Sequence, residues 1–260
     1  MVDLPKSDPG CHGKRAIMQA FERCDGRAWE VFLAGVEHIQ MEPVWGGRED
    51  TAGPLRASSA RCLVQARYPR TLDLLAVLLA DALPEPRLTA ASLIPSAGVP
   101  GGASVLRLKL LHGDTHPEVT TACTTALLEL DPDDGLDFVV HRLLNGGDQE
   151  QAEAVAMGLG ESRLPKAVTP LIEAWPLRVE PGWRRHIFAC LVLLRQQTAY
   201  DHLLELLNGD SDPVASDVAH TLAPVIAHDP RLAAQLRAQL AHVPSRARRL
   251  LLLELLGDME

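Results

Sequence analysis

The chain has 260 residues, of which 47% are hydrophobic but only 4% aromatic, and a formal net charge of −9. The acidic balance holds in every third of the chain, which disfavours nucleic-acid binding because such binding depends on neutralising phosphates. Five cysteines, no apolar run that could serve as a signal peptide, and no stretch long enough for a membrane span predict a reduced, cytoplasmic protein without membrane contact.

Residues 1–50 precede the repeat described below and are predicted to form an N-terminal helical cap. We expect helices at about 13–24 and 27–41, joined to the rest of the chain by a loop from Glu42 to Gly47. The second helix places apolar residues along one side, namely Trp29, Phe32, Leu33, Val36 and Ile39. A cap is needed because the terminal unit of a repeat array must cover an otherwise exposed core end.

A repeat of about 32 residues organises residues 51–260. Prolines recur at spacings of 32, 31, 64, 32 and 31 residues, at positions Pro54, Pro86, Pro117, Pro181, Pro213 and Pro244. The spacing of 64 is two periods with one proline missing near Gln149. Because proline is tolerated in the first turn of a helix, each of these prolines predicts a helix start. At Pro213, the preceding Asp212 is predicted to cap the helix with its carboxylate.

Small or apolar residues recur six and nine positions after each proline, three residues apart on one helical face. In the second unit Ser92 and Pro95 fall at these positions, so its register is predicted to slip by one residue and its first helix to stop near Pro95. A second apolar helix follows each first helix, and glycine follows several second helices. We expect left-handed helix caps at Gly113, Gly146 and Gly209.

The sequence around these repeats resembles the HEAT-like family, in particular the short variant found in phycobilin lyase subunits and in bacterial helper proteins. The resemblance is carried by Asp212-Pro213-Val214 before a helix, by Asn208-Gly209-Asp210 after one, and by Pro224 inside a first helix, similar to the kink proline of HEAT first helices. It covers about 51–257. It implies an all-α, right-handed α-solenoid of about six helix pairs, with the N-terminal cap and a C-terminal half-repeat.

HEAT-like arrays serve mainly as binding scaffolds, and the resemblance therefore implies a non-catalytic protein that binds another protein on the concave face lined by its second helices. Some HEAT-like proteins are enzymes. Deoxyhypusine hydroxylases bind iron through His-Glu pairs, whereas this sequence contains no His-Glu dipeptide. DNA glycosylases of this fold need a basic groove, while the second helices here mix both signs of charge. An enzyme or enzyme subunit of the phycobilin-lyase-helper type remains the alternative, and nucleic-acid binding the third possibility.

Polar residues on the predicted second helices are the candidates for partner contact. Asp137 and His141 lie four residues apart on one face, and Asp201, His202 and Glu205 follow two units later. They could form a metal site or an acid–base pair, but a solvated polar face with local ion pairs is the simpler interpretation. The full set of predicted contact residues is Asp137, His141, Arg142, Lys166, Glu173, Asp201, His202 and Glu205. Neither a metal nor a cofactor is expected.

Three further features leave alternatives open. Cys62, Cys123 and Cys190 on first helices are predicted to be buried. Trp45, Trp175 and Trp183 are interpreted as packing residues, with a binding role as the alternative. Arg246, Arg248 and Arg249 precede a leucine-rich segment at 250–256 that either closes the array or forms an edge for self-association.

Overall fold

The computed structural model describes residues 8–24, 27–180, 182–209, 211–240, 249–250, 252–253 and 256. Across these residues the chain is helical apart from one β-hairpin and the connecting turns. It divides into two compact units, Met1–Gly135 and Leu136–Glu260. No helix in the described part of the chain is long and apolar enough to cross a membrane.

Unit 1 consists of the cap, two complete helix pairs and the first helix of a third. Its elements in chain order are α1 (His12–Cys24), α2 (Trp29–Val36), β1 (Met41–Val44), β2 (Gly47–Asp50), α3 (Gly53–Gln65), α4 (Thr71–Leu78), α5 (Pro84–Leu93), α6 (Gly102–His112) and α7 (Pro117–Leu130). The first helices stack in sequence, α3 on α5 and α5 on α7, while α1 and α2 pack against the outer side of α3. Each first helix therefore buries one face against the next pair, as in a HEAT-like repeat.

Unit 2 repeats this arrangement. Its boundary falls inside α8 (Asp134–Val139), which continues as a π-helical turn, Val140–Leu144. The remaining helices are α9 (Gln149–Ser162), α10 (Val168–Ala174), α11 (Trp183–Leu194), α12 (Gln197–Asn208), α13 (Asp212–Ile226) and α14 (Pro230–Leu240). Again the first helices stack, α9 on α11 and α11 on α13.

The prediction of an all-α chain of six helix pairs is confirmed, with the pairs running from α3/α4 to α13/α14. The residues at the two repeating positions are buried where the prediction placed them, for example Leu63, Cys123, Val155, Cys190 and Leu222. These side chains form the core that runs through each unit.

The register slip in the second pair is also confirmed. Helix α5 ends at Leu93, and a 3₁₀ turn, Pro95–Ala97, follows it. Ile94 rather than Ser92 is buried there. Gly98 and Gly101 then adopt left-handed conformations with φ of 64° and 98°, which form the turn into α6.

The predicted cap loop is wrong, because residues 41–50 form an antiparallel β-hairpin in which Val44 pairs with Gly47 and Met41 with Asp50. Helix α2 also ends earlier than predicted, at Val36, so Ile39 lies outside it and is exposed. The hairpin brings the chain from the end of α2 to the start of α3.

The predicted left-handed helix caps are not formed. Gly113 has a positive φ of 78°, but its ψ of 177° is extended and lies outside the left-handed helical region. Gly209 instead has a φ of −68° and ends α12 in an extended conformation, and Gly146 follows the π-helical turn without a positive φ. Helix α13 begins at Asp212 itself, so this residue lies in the first turn, where its charge favours the helix dipole, and Ser211 takes the N-cap position.

Asp148 performs the cap where the proline is missing. Its carboxylate accepts a hydrogen bond of 2.8 Å from the backbone N–H of Gln151 at the start of α9. A side-chain cap thus replaces the pre-set backbone angle of proline as the signal that begins this helix.

Most of the C-terminal half-repeat, including Arg246, Arg248 and much of the leucine-rich segment, lies outside the described residues. Within it, Leu252 is buried and Leu250 is half exposed. The proposed self-association edge at 250–256 therefore remains a prediction.

Candidate functional site

Buried ion pairs connect successive helix pairs at one end of unit 1. The guanidinium of Arg56 in α3 donates two hydrogen bonds, of 2.7 and 2.8 Å, to Asp81 in the loop that precedes α5. It also donates to Asp50 at 2.7 Å and to the backbone carbonyl of His38 at 2.9 Å. One arginine therefore holds together the end of the hairpin and the start of the second pair.

Arg87 at the start of α5 forms the same contact one repeat later. It donates two hydrogen bonds of 2.8 Å to Asp114, in the loop between α6 and α7. Lys109 in α6 also contacts Asp114, at 2.8 Å. The backbone carbonyls of Asp81 and Ala82 accept two more bonds from Arg87, at 2.9 and 3.0 Å, and Nη2 also lies 3.2 Å from Nδ1 of His116, so the guanidinium is fully bonded.

Hydrogen bonds hold Asp50 and Asp114 in their charged form. Burial by itself would raise the pKa of Asp114, but the hydrogen bonds from Arg87 and Lys109 outweigh it and lower the pKa to about 2. For Asp50 too, burial acts to raise the pKa, and bonds from the backbone of Ala52 and from Arg56 lower it overall. The cluster Asp50, Arg56, Asp81, Arg87, Lys109 and Asp114, which we call the ion-pair ladder, contains three charges of each sign.

A groove of about 920 Å³ lies between α4 and α6, with the ladder at one end. Its walls are mostly apolar: Ala76, Leu79 and Ala80 come from α4 and its end, and Val105 and Leu108 from α6. Asp81, Arg87, Lys109, His112 and Asp114 are among the residues that line its polar end. We call this feature the α4–α6 groove.

Large apolar side chains on the same two helices are exposed. Val77 is 69% exposed, Leu108 70% and Leu111 59%. They lie on second helices, which is the side where a HEAT-like partner surface is expected. Of these three residues Leu108 lines the groove, and an exposed apolar side chain in a groove wall is typical of a binding site.

The hairpin carries a second exposed apolar group at its tip. Trp45 is fully exposed and Val44 beside it is 44% exposed, while Met41 at the base of the hairpin and Ile39 before it are 39% and 63% exposed. Gly46, with a φ of 92°, makes the tight turn possible. Trp45 is therefore not a packing residue, unlike Trp183, which is buried and donates its indole N–H to the carbonyl of Ala174 at 3.1 Å.

The base of the hairpin is rigidly held. The Glu42 carboxylate accepts two bonds from the backbone N–H of Gly10, at 3.0 and 3.2 Å, and one from the Gln40 side chain at 2.7 Å. The Asp50 carboxylate accepts from the Gln40 backbone at 3.0 Å and from Arg56. Because these bonds join the hairpin to α3 and to the start of α1, the tip is presented in one orientation.

The predicted contact residues of the second helices all lie in unit 2. Asp137 is in α8, and His141 and Arg142 are in the π-helical turn. Lys166 lies just before α10 and Glu173 lies within it. Asp201, His202 and Glu205 are in α12. All are exposed except His202, which is half buried. Their placement on successive second helices agrees with the repeat, and their role in binding stays a prediction.

The interactions of Asp201, His202 and Glu205 are formed within α12. Burial lowers the pKa of His202, whereas the nearby Glu205 charge opposes that shift. Asp201 accepts a hydrogen bond of 2.8 Å from Gln197 in its own helix. Among the described residues, no group of three histidine, cysteine or acidic side chains could hold a metal ion.

The cysteines of the first helices are buried, as predicted, and all five cysteines are free thiols. Burial raises the pKa of Cys62 to about 11 and that of Cys123 to about 12, and it also raises the pKa of Cys190. Such thiols are poor nucleophiles at neutral pH, so their role is packing.

The ladder and the α4–α6 groove were missed from the sequence. A signal for the ladder exists, since Asp50 precedes Arg56 by six residues and Asp81 precedes Arg87 by six, one repeat later. The groove has no comparable signal, because it depends on how far α4 and α6 stand apart.

Comparison with known proteins adds one structural similarity. No family model matches the chain, and no curated protein matches it. A solved structure, the complex of CpcE and CpcF of phycocyanin lyase from Nostoc sp. PCC7120, is similar with a TM-score of 0.43 and 15% sequence identity, over 95% of this chain and 89% of that chain. Nothing about the activity of the present chain follows from a similarity of this strength.

Proposed function

We propose that this chain is a non-catalytic scaffold that binds another protein along its second helices. The observation that carries the proposal is the exposed apolar surface of Val77, Leu108 and Leu111 beside the α4–α6 groove. Exposing such side chains to water is unfavourable, and a partner that covers them removes that cost.

The partner segment that suits this groove is an amphipathic helix. Ala76 lies in α4 and Ala80 in the turn that follows it, and their small side chains allow another backbone to approach closely. Val105 and Leu108 face them from α6. The charged ladder residues that line the groove are paired with one another. The apolar face of a partner helix can therefore bind in the groove without supplying a counter-charge.

The polar residues of unit 2 extend this proposal. Asp137, His141, Arg142, Lys166, Glu173, Asp201, His202 and Glu205 are proposed to make polar contacts with the same partner. Charged residues at the edge of an interface add mainly to specificity and association rate. The free cysteines of the chain support a cytoplasmic location, in which the chain would meet this partner.

Capture from the native host tests the proposal with three matched baits. These are the wild-type chain, the groove variant Leu108→Glu, and the control variant Leu177→Glu. Leu177 is 66% exposed but lies in unit 2, outside the groove. We expect a stoichiometric protein with the wild type and the control, and at least a tenfold lower recovery with the groove variant. Equal recovery with all three baits would refute a role for the groove.

A second candidate function is an enzyme or enzyme subunit of the phycobilin-lyase-helper type, which the sequence resemblance suggests. The observation in its favour is the size of the α4–α6 groove, which lies within the range of about 300–1,000 Å³ common for small-molecule sites. Its apolar walls and the polar groups of Arg87, Lys109 and His112 at one end would suit an amphipathic ligand. Native mass spectrometry and absorption spectra of the chain purified from its host test this: a bound chromophore that Leu108→Glu removes would favour it.

A further inference from the structure

We propose that the Trp45 hairpin of one copy inserts into the α4–α6 groove of a second copy, so that the free protein is a reciprocal dimer. This inference rests on the proposed function, because it names an occupant for the same groove. It concerns the chain in the absence of its partner. The hairpin and the groove are both exposed apolar features of unit 1, and their chemistry is complementary.

The hairpin has the properties of an interface anchor. Trp45 is fully exposed and Val44 stands beside it, while the bonds of Glu42 and Asp50 fix the base. A side chain added at Gly46 or Gly47 would find no atom within 4 Å, so the turn projects into open space.

The groove offers what a tryptophan needs. The indole ring is apolar but carries one N–H donor that must be satisfied when it is buried. The groove has apolar walls from Ala76, Ala80 and Leu108, and the carboxylates of Asp81 and Asp114 lie at its polar end. Helix α6 also ends there, at His112, and the end of a helix presents backbone carbonyl acceptors.

Size and charge agree with this occupant. A tryptophan buries about 150–250 Å², and a groove of about 920 Å³ has room for Trp45 together with Val44. Four ladder residues line the groove and their charges balance, Arg87 and Lys109 against Asp81 and Asp114, so a neutral tip brings no unpaired charge into the groove.

Each copy has one hairpin and one groove, and reciprocal insertion therefore closes a twofold dimer. The contact area is small for a stable complex, so we expect a dissociation constant in the range of about 1–10 μM. A partner helix in the groove would displace the hairpin, which makes dimerisation and partner binding mutually exclusive.

Sedimentation velocity on the full chain at about 1 to 100 μM, a range that spans a micromolar dissociation constant, tests the proposal. We expect a reversible monomer–dimer equilibrium for the wild type and for the control Leu177→Glu. Trp45→Ala and Leu108→Glu should each be monomeric at the highest concentration. Both positions are exposed, and circular dichroism and thermal unfolding verify that the variants stay folded.

Two results would overturn the proposal: a wild type that is monomeric at every concentration, or a dimer that neither variant weakens. If the wild type is monomeric but Leu108→Glu still loses the captured partner, the self-docking is refuted and the proposed function stands. If the dimer behaves as expected but the capture of no partner depends on the groove, the self-docking stands and the proposed function is refuted.

Discussion

The guanidinium of Arg87 and the carboxylate of Asp114 form two parallel hydrogen bonds of 2.8 Å, across 27 residues of sequence. Arg87 begins the first helix of one pair, and Asp114 lies just before the first helix of the next. Paired bonds of this kind fix both distance and orientation. The contact therefore sets how two successive pairs stand relative to each other, and it forms the floor of the groove at its polar end.

We expect Asp114→Asn to lower the free energy of unfolding by about 3–5 kcal/mol, because it leaves Arg87 and Lys109 buried without a counter-charge. The pH dependence should change as well. The folded pKa of Asp114, about 2, lies below the value of 3.8 for an unperturbed aspartate, so its stabilisation is complete above about pH 4 and is lost as the pH falls towards 2. Urea unfolding at pH 6 and at pH 3 should show a loss that is about 1 kcal/mol larger in the wild type than in Asp114→Asn, because the other carboxylates titrate in both proteins.

Asp73→Asn is the matched control for that experiment. Asp73 pairs with Arg70 at 3.0 Å, but both side chains are exposed. Such pairs contribute about 0–1 kcal/mol. A loss at Asp114 no larger than the loss at Asp73 would contradict the stabilising role of the ladder.

Arg56→Met should destabilise more than Arg56→Lys. Methionine leaves the largely buried Asp50 and Asp81 without their partner, at a cost of about 3–5 kcal/mol. Lysine keeps the charge but cannot make the paired bonds to Asp81, so we expect roughly half that loss. Thermal unfolding of both variants measures the difference, with the exposed Arg70→Met as control. Equal effects of the methionine and lysine variants would show that the charge kept by lysine contributes nothing without the paired hydrogen bonds.

Gly160→Ala should disturb the stacking of α9 on α11. A Cβ at Gly160 would lie 2.8 Å from the backbone oxygen of Cys190 and 3.1 Å from its Cα, and backbone atoms cannot move aside cheaply. We expect a loss of about 1–3 kcal/mol in the free energy of unfolding. Gly47→Ala, where no atom lies within 4 Å, should change stability little. An unaltered or raised melting temperature for Gly160→Ala would show that the two helices can separate.

Thiol labelling of the native chain should modify one cysteine quickly and four slowly. Cys24 is exposed, whereas Cys11, Cys62, Cys123 and Cys190 are buried. Burial raises the pKa of each of these four thiols and so lowers the fraction of reactive thiolate. A time course with a chromogenic disulfide at pH 8, with and without denaturant, measures this, and Cys24→Ser should remove the fast phase. Rapid labelling of two or more thiols in the native wild type would contradict the described burial.

The helix pairs could be read from the sequence because each one carries its own local signals. Pro117 begins a helix by its fixed backbone angle, Leu63 and Cys123 recur on one face, and Pro95 ends α5 early. Signals of this kind act within a few residues. The six helix pairs were therefore predicted correctly. The backbone conformation of the glycines after the second helices was not.

The hairpin and the groove could not be predicted in this way. Pro43 and two adjacent glycines make residues 42–47 resemble a loop, and strand pairing is then set by contacts with distant residues, such as Glu42 with Gly10. The groove depends on the separation of α4 and α6. The ladder at its polar end does leave a signal in the sequence, because an aspartate precedes an arginine by six residues twice, at Asp50 and Arg56 and at Asp81 and Arg87.

The π-helical turn at Val140–Leu144 offers a route by which repeat length can vary. There the N–H of Asn145 bonds to the carbonyl of Val140, five residues back instead of four. Such a turn accommodates one surplus residue inside a helix without a break in the chain direction. Single-residue insertions and deletions in an ancestral pair could thus be absorbed within a helix, leaving the hydrophobic faces before and after it in phase with their neighbours.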